Sequence, residues 1–368
     1  MDIVRKFDLL LFISIIIICL LGVLMIYSSS TIWAEYKFGD PLKYFKAQSV
    51  FFLVGLILMV IVSKIPYKYY SDKANIILIV CFFLLVLVLI PGIGIIRNGS
   101  RSWFGIGSLG IQPSEFVKLG LIMFTAKYLS KNMKEIKTVK KGVFPILFVT
   151  AIIFGVIMLQ PDFGTGVIIV MSVIGLLFIS GVEMSFFNKL AILGLGGIVA
   201  LIASAPYRIE RILSFLDPWQ DPLGSGFQTI QSLFSIGPGG LLGMGLGNSI
   251  QKHFYLPEPQ TDFIFAIITE ELGFLGALLV CSLFLIIMVR GFKIAMNTND
   301  LFGKYLAFGI TFQIAFQAIL NLMVVVGLIP VTGVTLPFLS YGGSSLLITM
   351  ISVGILLNIS RYQEERLR

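Results

Sequence analysis

Acidic side chains beside an apolar stretch are the residues of this chain best suited to chemistry. In the segment LPEPQTDFIFAIITEE, Asp262 follows a proline-containing loop and precedes an apolar run. Ionisable groups at a membrane-spanning segment are costly to place and tend to be functional. If a helix begins near Thr261, Asp262 lies in its first turn, where the helix dipole favours a carboxylate. Asp262 is therefore either a helix cap or a partly desolvated general base.

Two further carboxylates, Glu270 and Glu271, lie deeper in the same predicted helix. Helical spacing places Glu270 about 80° around the helix from Asp262, and Glu271 nearly opposite. Glu270 could therefore share a polar cavity with Asp262, whereas Glu271 should face another helix. A buried, paired carboxylate with a structural role is the interpretation we favour for both.

The motif QPSEFVK places a carboxylate and an ammonium group three residues apart. Glu115 and Lys118 would lie on one face of a helix. They could form an intramembrane ion pair that serves only the fold. Alternatively, Lys118 meets a negative group of a substrate, while Glu115 tunes Lys118 or Asp262.

The segment from 206 to 262 contains two more candidate cations. In YRIERILSFL, Arg208 and Arg211 alternate with apolar residues at the spacing of a short amphipathic helix on a membrane surface. These arginines could bind phosphate or merely contact lipid headgroups. The glycine run GPGGLLGMGLGNS is not a P-loop, because no G-K-[ST] follows it. Close approach of helices or a flexible flap explains the glycines better.

Composition excludes several kinds of site. His253 is the only histidine, which rules out a histidine-based metal cluster or catalytic triad within the chain, and we expect it at the surface. The three cysteines lie in apolar runs and predict no disulfide framework. The net charge is +8, and the basic residues are scattered between apolar runs. This distribution favours a role in membrane orientation over nucleic-acid binding.

The overall composition is that of an integral membrane protein, with 57% hydrophobic residues, 12% charged residues and a mean hydropathy of +0.98. We interpret the first apolar run as an uncleaved helix, because no signal-peptidase pattern follows it. The chain predicts an all-α fold of about ten transmembrane helices in a single polytopic domain, 1–368. The ten apolar segments are roughly 9–28, 47–64, 75–91, 114–130, 143–160, 163–182, 188–205, 263–289, 304–327 and 344–360.

Basic residues predict the orientation of these helices. With the N-terminus inside, 18 of the 27 lysines and arginines fall on the cytoplasmic side. Both termini are then cytoplasmic, and the large loop of about 206–262, between helices seven and eight, is extracytoplasmic. Asp262 and the motifs QPSEFVK, QPDFGTG and PFLSYGGSS all fall on the outer side. The orientation therefore predicts an active surface at the outer membrane–water boundary.

Long motifs in this chain resemble those of one family, the SEDS proteins of shape, elongation, division and sporulation. The resemblance covers essentially the whole chain, and it is closer to the branch of FtsW and stage V sporulation protein E than to RodA. The motifs that carry it are RNGSRSWFGIGSLGIQPSEFVK, QPDFGTG, FLDPWQDPLGSGFQTIQSLFSIGPGGLLGMGLGNS, YLPEPQTDFIFAIITEELGF and GLIPVTGVTLPFLSYGGSS.

The resemblance implies a peptidoglycan glycosyltransferase of the bacterial plasma membrane that polymerises lipid II for septum or spore-cortex synthesis. The family's essential acidic residue falls on Asp262, and its glutamate and lysine of the QPSE motif fall on Glu115 and Lys118. Asp262 is the expected base and Lys118 the expected partner of the leaving pyrophosphate. Further candidates for substrate binding are Arg101, Arg208, Arg211, Ser340 and Tyr341.

A class B penicillin-binding protein, lipid II and other cell-wall synthesis proteins are the partners that the resemblance implies. A cofactor is left open, with a divalent cation such as Mg or Mn as the candidate. Two other functions also stay open. One is a lipid II flippase, and the other is a non-enzymatic scaffold for a transpeptidase.

Overall fold

The computed structural model of the protein describes residues 7–97, 99–106, 109–136, 139–203, 206–224 and 226–362, which are mostly helical. Each of the ten predicted apolar segments coincides largely with one α-helix. These helices are α1 (Leu9–Phe38), α2 (Lys43–Val62), α3 (Lys68–Leu87), α4 (Pro113–Lys131), α5 (Phe144–Met158), α6 (Phe163–Ile179), α7 (Met184–Ala203), α10 (Ile264–Met296), α11 (Leu301–Val325) and α12 (Gly343–Ser360).

Seven helical segments within the described residues are long and apolar enough to cross a membrane: α1, α2, α3, α10, α11, α12 and the stretch Lys141–Met158 that contains α5. The apolar helix α6 is shorter. These findings confirm an all-α membrane protein, while the number of ten spans stays a prediction. Helices α11 and α12 form the centre of the molecule. In their most apolar stretches, 61% and 78% of the residues are buried, against 22% in α2 and α3.

We infer the membrane boundaries along α1 and α10 from two polar contacts and from helix length. Asp8 caps α1 and pairs with Arg290 of α10 at 2.6 Å. From these residues, about 20 helical residues cross a hydrocarbon layer of about 30 Å. On α1 this count reaches Ser28, and on α10 it reaches the pair Glu270 and Glu271. Ser28 Oγ in fact donates to the Glu271 carboxylate at 2.6–2.7 Å, which supports this second boundary. The side beyond it is called the Asp262 side below.

A small antiparallel sheet joins α3 to α4, which sequence patterns did not predict. Its strands are β1 (Ile95–Arg97), β2 (Ser100–Ile106) and β3 (Leu109–Ile111), in the order β1-β2-β3. Arg101 pairs with Ile96, and Gly99 with φ of 80° turns the chain between β1 and β2. Left-handed backbone of this kind suits glycine because it lacks a Cβ atom.

The segment 206–262 packs onto α10 through its glycine run. It contains α8 (Pro206–Leu216), where the predicted amphipathic helix is confirmed, and α9 (Phe227–Ile236). Its glycine run lies against a kink of α10 at Gly273, where φ is 66°. Met244 N and Gly245 N donate to the backbone oxygens of Glu270 and Glu271 at 2.9 and 3.0 Å. A Cβ atom at Gly243 would collide with the Glu271 carbonyl, so close backbone approach explains this glycine.

Candidate functional site

Asp262 lies beyond the membrane boundary at Glu270 and Glu271, two residues before α10 begins. The helix starts at Ile264, next to the first residue of the predicted segment 263–289. Its N-cap residue is Phe263 and it has no side-chain cap, so the capping interpretation of Asp262 is wrong. Asn321 Nδ2 donates to the Asp262 carbonyl oxygen at 2.7 Å, just before the helix begins. The Asp262 side chain is half-buried. Gly333 is close to its carboxylate and belongs to the segment 326–342, called the segment before α12.

The segment before α12 positions the backbone next to Asp262. Ser340 Oγ donates to the Thr261 carbonyl at 2.6 Å and accepts from Leu336 N at 2.8 Å. Tyr341 N donates to the Gln260 carbonyl at 2.8 Å. Ser340 is buried with its hydroxyl engaged by backbone, whereas Tyr341 is half-buried. A substrate contact for either residue stays a prediction, and the geometry gives both a direct part in placing Asp262.

Backbone strain is concentrated in the two loops that flank Asp262. Phe254, Glu258 and Phe338 have φ values of 69°, 43° and 67°. A left-handed conformation is unfavourable for bulky residues because the Cβ atom crowds the backbone, and strain of this kind often marks functional sites. Phe254 and Glu258 belong to the loop before Asp262, and Phe338 belongs to the segment before α12.

The predicted pair of Glu115 and Lys118 is confirmed as an ion pair of 2.9 Å, buried at the start of α4. Lys118 Nζ also donates to Gln317 Oε1 of α11 at 3.0 Å. Gln317 Nε2 in turn donates to the Thr335 carbonyl at 3.0 Å. One turn further along α11, Asn321 Nδ2 donates to the Val334 carbonyl at 2.7 Å as well as to Asp262. Gln317 and Asn321 therefore connect Lys118 to the segment that lies beside Asp262.

Asp162 is a further acidic residue near the ion pair, and its place was not predicted. It caps α6 by accepting from Thr165 N at 3.1 Å, and it accepts from Gln112 Nε2 at 3.1 Å. Burial raises the pKa of the Asp162 carboxyl, and the Thr165 hydrogen bonds oppose this shift. The negative charge of Glu115 raises this pKa further, and the positive charge of Lys118 lowers it. Asp162 thus interacts electrostatically with both members of the ion pair.

The arginine candidates have different positions. Arg101 is half-buried in β2, and its neighbour Arg97 lies over the Trp103 ring at 5.0 Å. Burial raises the pKa of Tyr341, and the charge of Arg97 lowers it, so the Arg97 guanidinium acts on the segment beside Asp262. Arg208 and Arg211 belong to α8, but their side chains lie outside the described residues.

Glu270 and Glu271 anchor the loop to α10, as the structural interpretation predicted. Glu270 accepts from Ser235 and Ser249 hydroxyls and from Ile250 N, at 3.1, 2.5 and 2.8 Å. Its carboxylate is therefore engaged by the loop. Glu271 pairs with Lys252 at 3.1 Å and also accepts from Ser28, so it faces another helix as expected. His253 next to Lys252 is exposed, as expected.

Gln317 and Asn321 are the site residues that sequence reasoning missed, together with Asp162. A signal for the first two exists, because Gln313, Gln317 and Asn321 recur at four-residue spacing within an otherwise apolar helix. Such spacing places amides on one helix face. Among the described residues, no group of three or more His, Cys, Asp or Glu is arranged to hold a metal ion.

Comparison with known proteins identifies the family. The sequence profile of the family described as FtsW/RodA/SpoVE, cell cycle protein, matches residues 8–365. The chain belongs to this family.

Within the FtsW/RodA/SpoVE family, the chain is similar to stage V sporulation protein E of Bacillus subtilis (strain 168), with 53% identity over 96% of this chain and 97% of that protein. It is also similar to the probable peptidoglycan glycosyltransferase FtsW of Geobacter sp. (strain M18), with 40% identity over 97% of each chain.

Two solved structures share the fold of this family member. The crystal structure of the rod shape determining protein RodA of Thermus thermophilus matches with a TM-score of 0.71 and 27% identity over 98% of both chains. A chain of the structure described as "Structural coordination of polymerization and crosslinking by a peptidoglycan synthase complex" matches with a TM-score of 0.78 and 32% identity, over 97% of this chain and 98% of that one. The predicted family, and its branch of FtsW and stage V sporulation protein E, are confirmed.

Proposed function

We propose that this protein is a peptidoglycan glycosyltransferase that polymerises lipid II, with Asp262 as its general base. The observation that carries the proposal is the placement of Asp262 between two strained loops, with its backbone fixed by Asn321 and that of its neighbour Thr261 by Ser340. A catalytic carboxylate requires a fixed position and partial desolvation, and both are present here. The relative named FtsW carries this activity in its name.

The chemistry needs one base and a place for negative charge. The 4-hydroxyl of an acceptor sugar attacks the anomeric carbon of a donor, and the bond from that carbon to the pyrophosphate oxygen breaks. Asp262 accepts the hydroxyl proton, as the base of an inverting glycosidase does. The leaving pyrophosphate keeps the electron pair and needs cations instead of an acid.

Lys118 is the proposed cation for the pyrophosphate. Its ammonium group carries three protons, and among the described residues Glu115 and Gln317 accept two of them. The side chain is only 3% exposed, so we propose that the third proton meets a phosphate oxygen when the substrate enters the site. Arg101, Arg208 and Arg211 stay further candidates for this role.

A transpeptidase is the proposed membrane partner. One solved structure with this fold belongs to a complex that, by its description, coordinates polymerisation with crosslinking. We propose a class B penicillin-binding protein as the crosslinking partner, together with other cell-wall synthesis proteins. The 53% identity to stage V sporulation protein E favours a role in spore-cortex synthesis over one in the division septum.

Two rival functions make different demands on the chain. A lipid II flippase needs a polar path through the bilayer, but the Lys118, Lys252 and Arg290 ion pairs of the described residues lie near helix ends. A non-enzymatic scaffold would have no use for a carboxylate at Asp262.

Purified protein with labelled lipid II tests the proposal, alone and with its transpeptidase, with and without a chelator. We expect glycan polymer from the protein in detergent, where no bilayer exists to translocate across. Transbilayer movement of fluorescent lipid II in vesicles without any polymer would favour the flippase instead.

A further inference from the structure

Five aromatic side chains form a continuous surface on the Asp262 side, called the aromatic platform here. It consists of Trp33, Tyr36, Tyr44, Phe254 and Tyr341. Phe254 lies 5.3 Å from Tyr36 and 5.7 Å from Trp33, between ring centroids. Tyr44 lies 4.7 Å from Tyr341 and 5.9 Å from Phe38, between ring centroids. Lys37 Nζ lies over both the Phe38 and the Trp33 rings, at 5.7 and 5.5 Å, and so joins the two groups of rings. The rings therefore connect the end of α1 with the segment beside Asp262.

One end of the platform lies in the segment beside the candidate catalytic residue. Tyr341 N donates to the Gln260 carbonyl, two residues before Asp262. The other end is open to solvent, since Tyr36 is 78% exposed and Phe254 is 48% exposed. A chain molecule that has one end at Asp262 could therefore lie along the rings.

The platform extends beyond the hydrocarbon layer of the membrane. Ser28 of α1 lies at the boundary deduced above, and Tyr36 follows eight residues later, which is about 12 Å of helix. Aromatic side chains commonly collect at lipid headgroups. The platform differs from such a belt because Tyr341 and Phe254 belong to loops around Asp262, and not to the lipid-facing sides of helices.

Backbone strain at Phe254 also indicates a function for its ring. Its φ of 69° is unfavourable for a bulky residue, whereas glycine or asparagine would adopt it easily. The strained conformation is the one in which the Phe254 ring contacts both Trp33 and Tyr36. A residue that served only the loop would not need this side chain.

We propose that the aromatic platform binds the growing sugar chain as it leaves Asp262. Hexoses present flat faces of C–H groups that pack on aromatic rings, while tyrosine hydroxyl groups can hydrogen-bond to sugar hydroxyl and amide groups. Lys37, which lies 5.5 Å from the Trp33 ring, adds a cation at the edge for the carboxylates of the chain. The identity of the sugar chain rests on the proposed function.

Binding of lipid-free peptidoglycan glycan chains to the purified full-length protein tests the proposal. Phe254→Gly removes the ring and relieves the backbone strain, so this variant should fold. We expect Phe254→Gly and Tyr36→Ala each to weaken glycan binding about tenfold, and to shorten the polymer made from lipid II. As a matched control, Phe148→Ala removes an exposed ring of α5 that stacks on Phe144, and should bind glycan as the parent protein does.

Two outcomes overturn the proposal: no binding of lipid-free glycan by the parent protein, or equal binding by the parent, Phe254→Gly and Tyr36→Ala. Either outcome would leave the platform as a lipid-headgroup belt. The proposed function fails separately, if the protein does not polymerise lipid II. Asp262→Asn should still bind glycan, because its platform rings are intact.

Discussion

Asn321 Nδ2 donates to the Asp262 carbonyl at 2.7 Å and also to the Val334 carbonyl at 2.7 Å. One buried amide of α11 thus holds together the two segments that form the candidate site. Loss of such a donor leaves two carbonyl oxygens without a partner, and each buried group of this kind lowers the free energy of unfolding by about 1–3 kcal/mol.

Asn321→Ala should therefore lower the rate of lipid II polymerisation about tenfold or more per folded molecule, because Asp262 loses its fixed position. The matched control is Asn358→Ala, since Asn358 makes comparable buried contacts with Ser63 and Tyr67 at the other end of the molecule. That variant should lose thermal stability without a selective loss of activity. Equal loss of activity in both variants would contradict the positioning role.

The Glu115–Lys118 pair can be separated into its structural and functional parts. Either single change, Glu115→Leu or Lys118→Met, leaves one buried charge unpaired and should destabilise the protein by about 3–5 kcal/mol. The double variant removes both charges and should recover most of the thermal stability. We expect it to be inactive in lipid II polymerisation, because Lys118 no longer meets the pyrophosphate. Full activity of the double variant would make the pair purely structural.

Asp162 should make stability depend on pH in a predictable direction. Burial raises its pKa in the folded state above 3.8, so the folded state favours the protonated form. The contribution of this group to stability is then greatest at low pH and is lost as the pH rises through the raised pKa. Asp162→Asn is always neutral, so its melting temperature should exceed that of the parent at pH 7.

That difference should shrink as the pH falls toward 4, near the ordinary pKa of an aspartate. Asp217→Asn is the control, since Asp217 likewise caps a short helix through Trp219 N at 3.2 Å. It should not reproduce the pH-dependent gain. A parent protein that is more stable than Asp162→Asn at pH 7 would refute this account of Asp162.

Glu271 should govern how firmly the loop is attached to α10. Lys252 is only 6% exposed because it pairs with Glu271, so trypsin should cleave after it slowly. Glu271→Ala removes this pair and the Ser28 contact. The loop should then separate from α10 more often, so cleavage at Lys252 should become at least about tenfold faster. Glu183→Ala, which changes an exposed carboxylate, is the control. An unchanged cleavage rate in Glu271→Ala would show that the backbone contacts of the glycine run are enough to hold the loop on α10.

The sequence predicted the apolar helices well, because each of its ten long apolar segments coincides largely with one α-helix. It also predicted Glu115 and Lys118 as a pair, since three-residue spacing on a helix fixes their proximity. The capping interpretation of Asp262 was wrong, because the Thr261–Asp262 pattern suits a helix cap whereas contacts from Asn321 and Ser340 hold these residues outside the helix. Those contacts join residues that are distant in the chain.

Local sequence patterns also could not predict which residues contact the Asp262 segment. The spacing of Gln317 and Asn321 predicts a shared face of α11 but not the segment that this face holds. Asp162 stood in a recognised motif, yet its interaction with Lys118 depends on how α4 and α6 pack. The three-stranded sheet escaped prediction because its strands are only three, seven and three residues long.

The rate of lipid II polymerisation by Asp262→Asn tests the central claim most directly. The substitution keeps size and the backbone carbonyl that Asn321 holds, so the variant should fold and bind its transpeptidase like the parent. Loss of a general base predicts a rate at least about a hundredfold lower. Asp40→Asn, which removes an exposed carboxylate paired with Lys46, should keep the parent rate. Polymerisation by Asp262→Asn at the parent rate would contradict the assignment of Asp262 as the base.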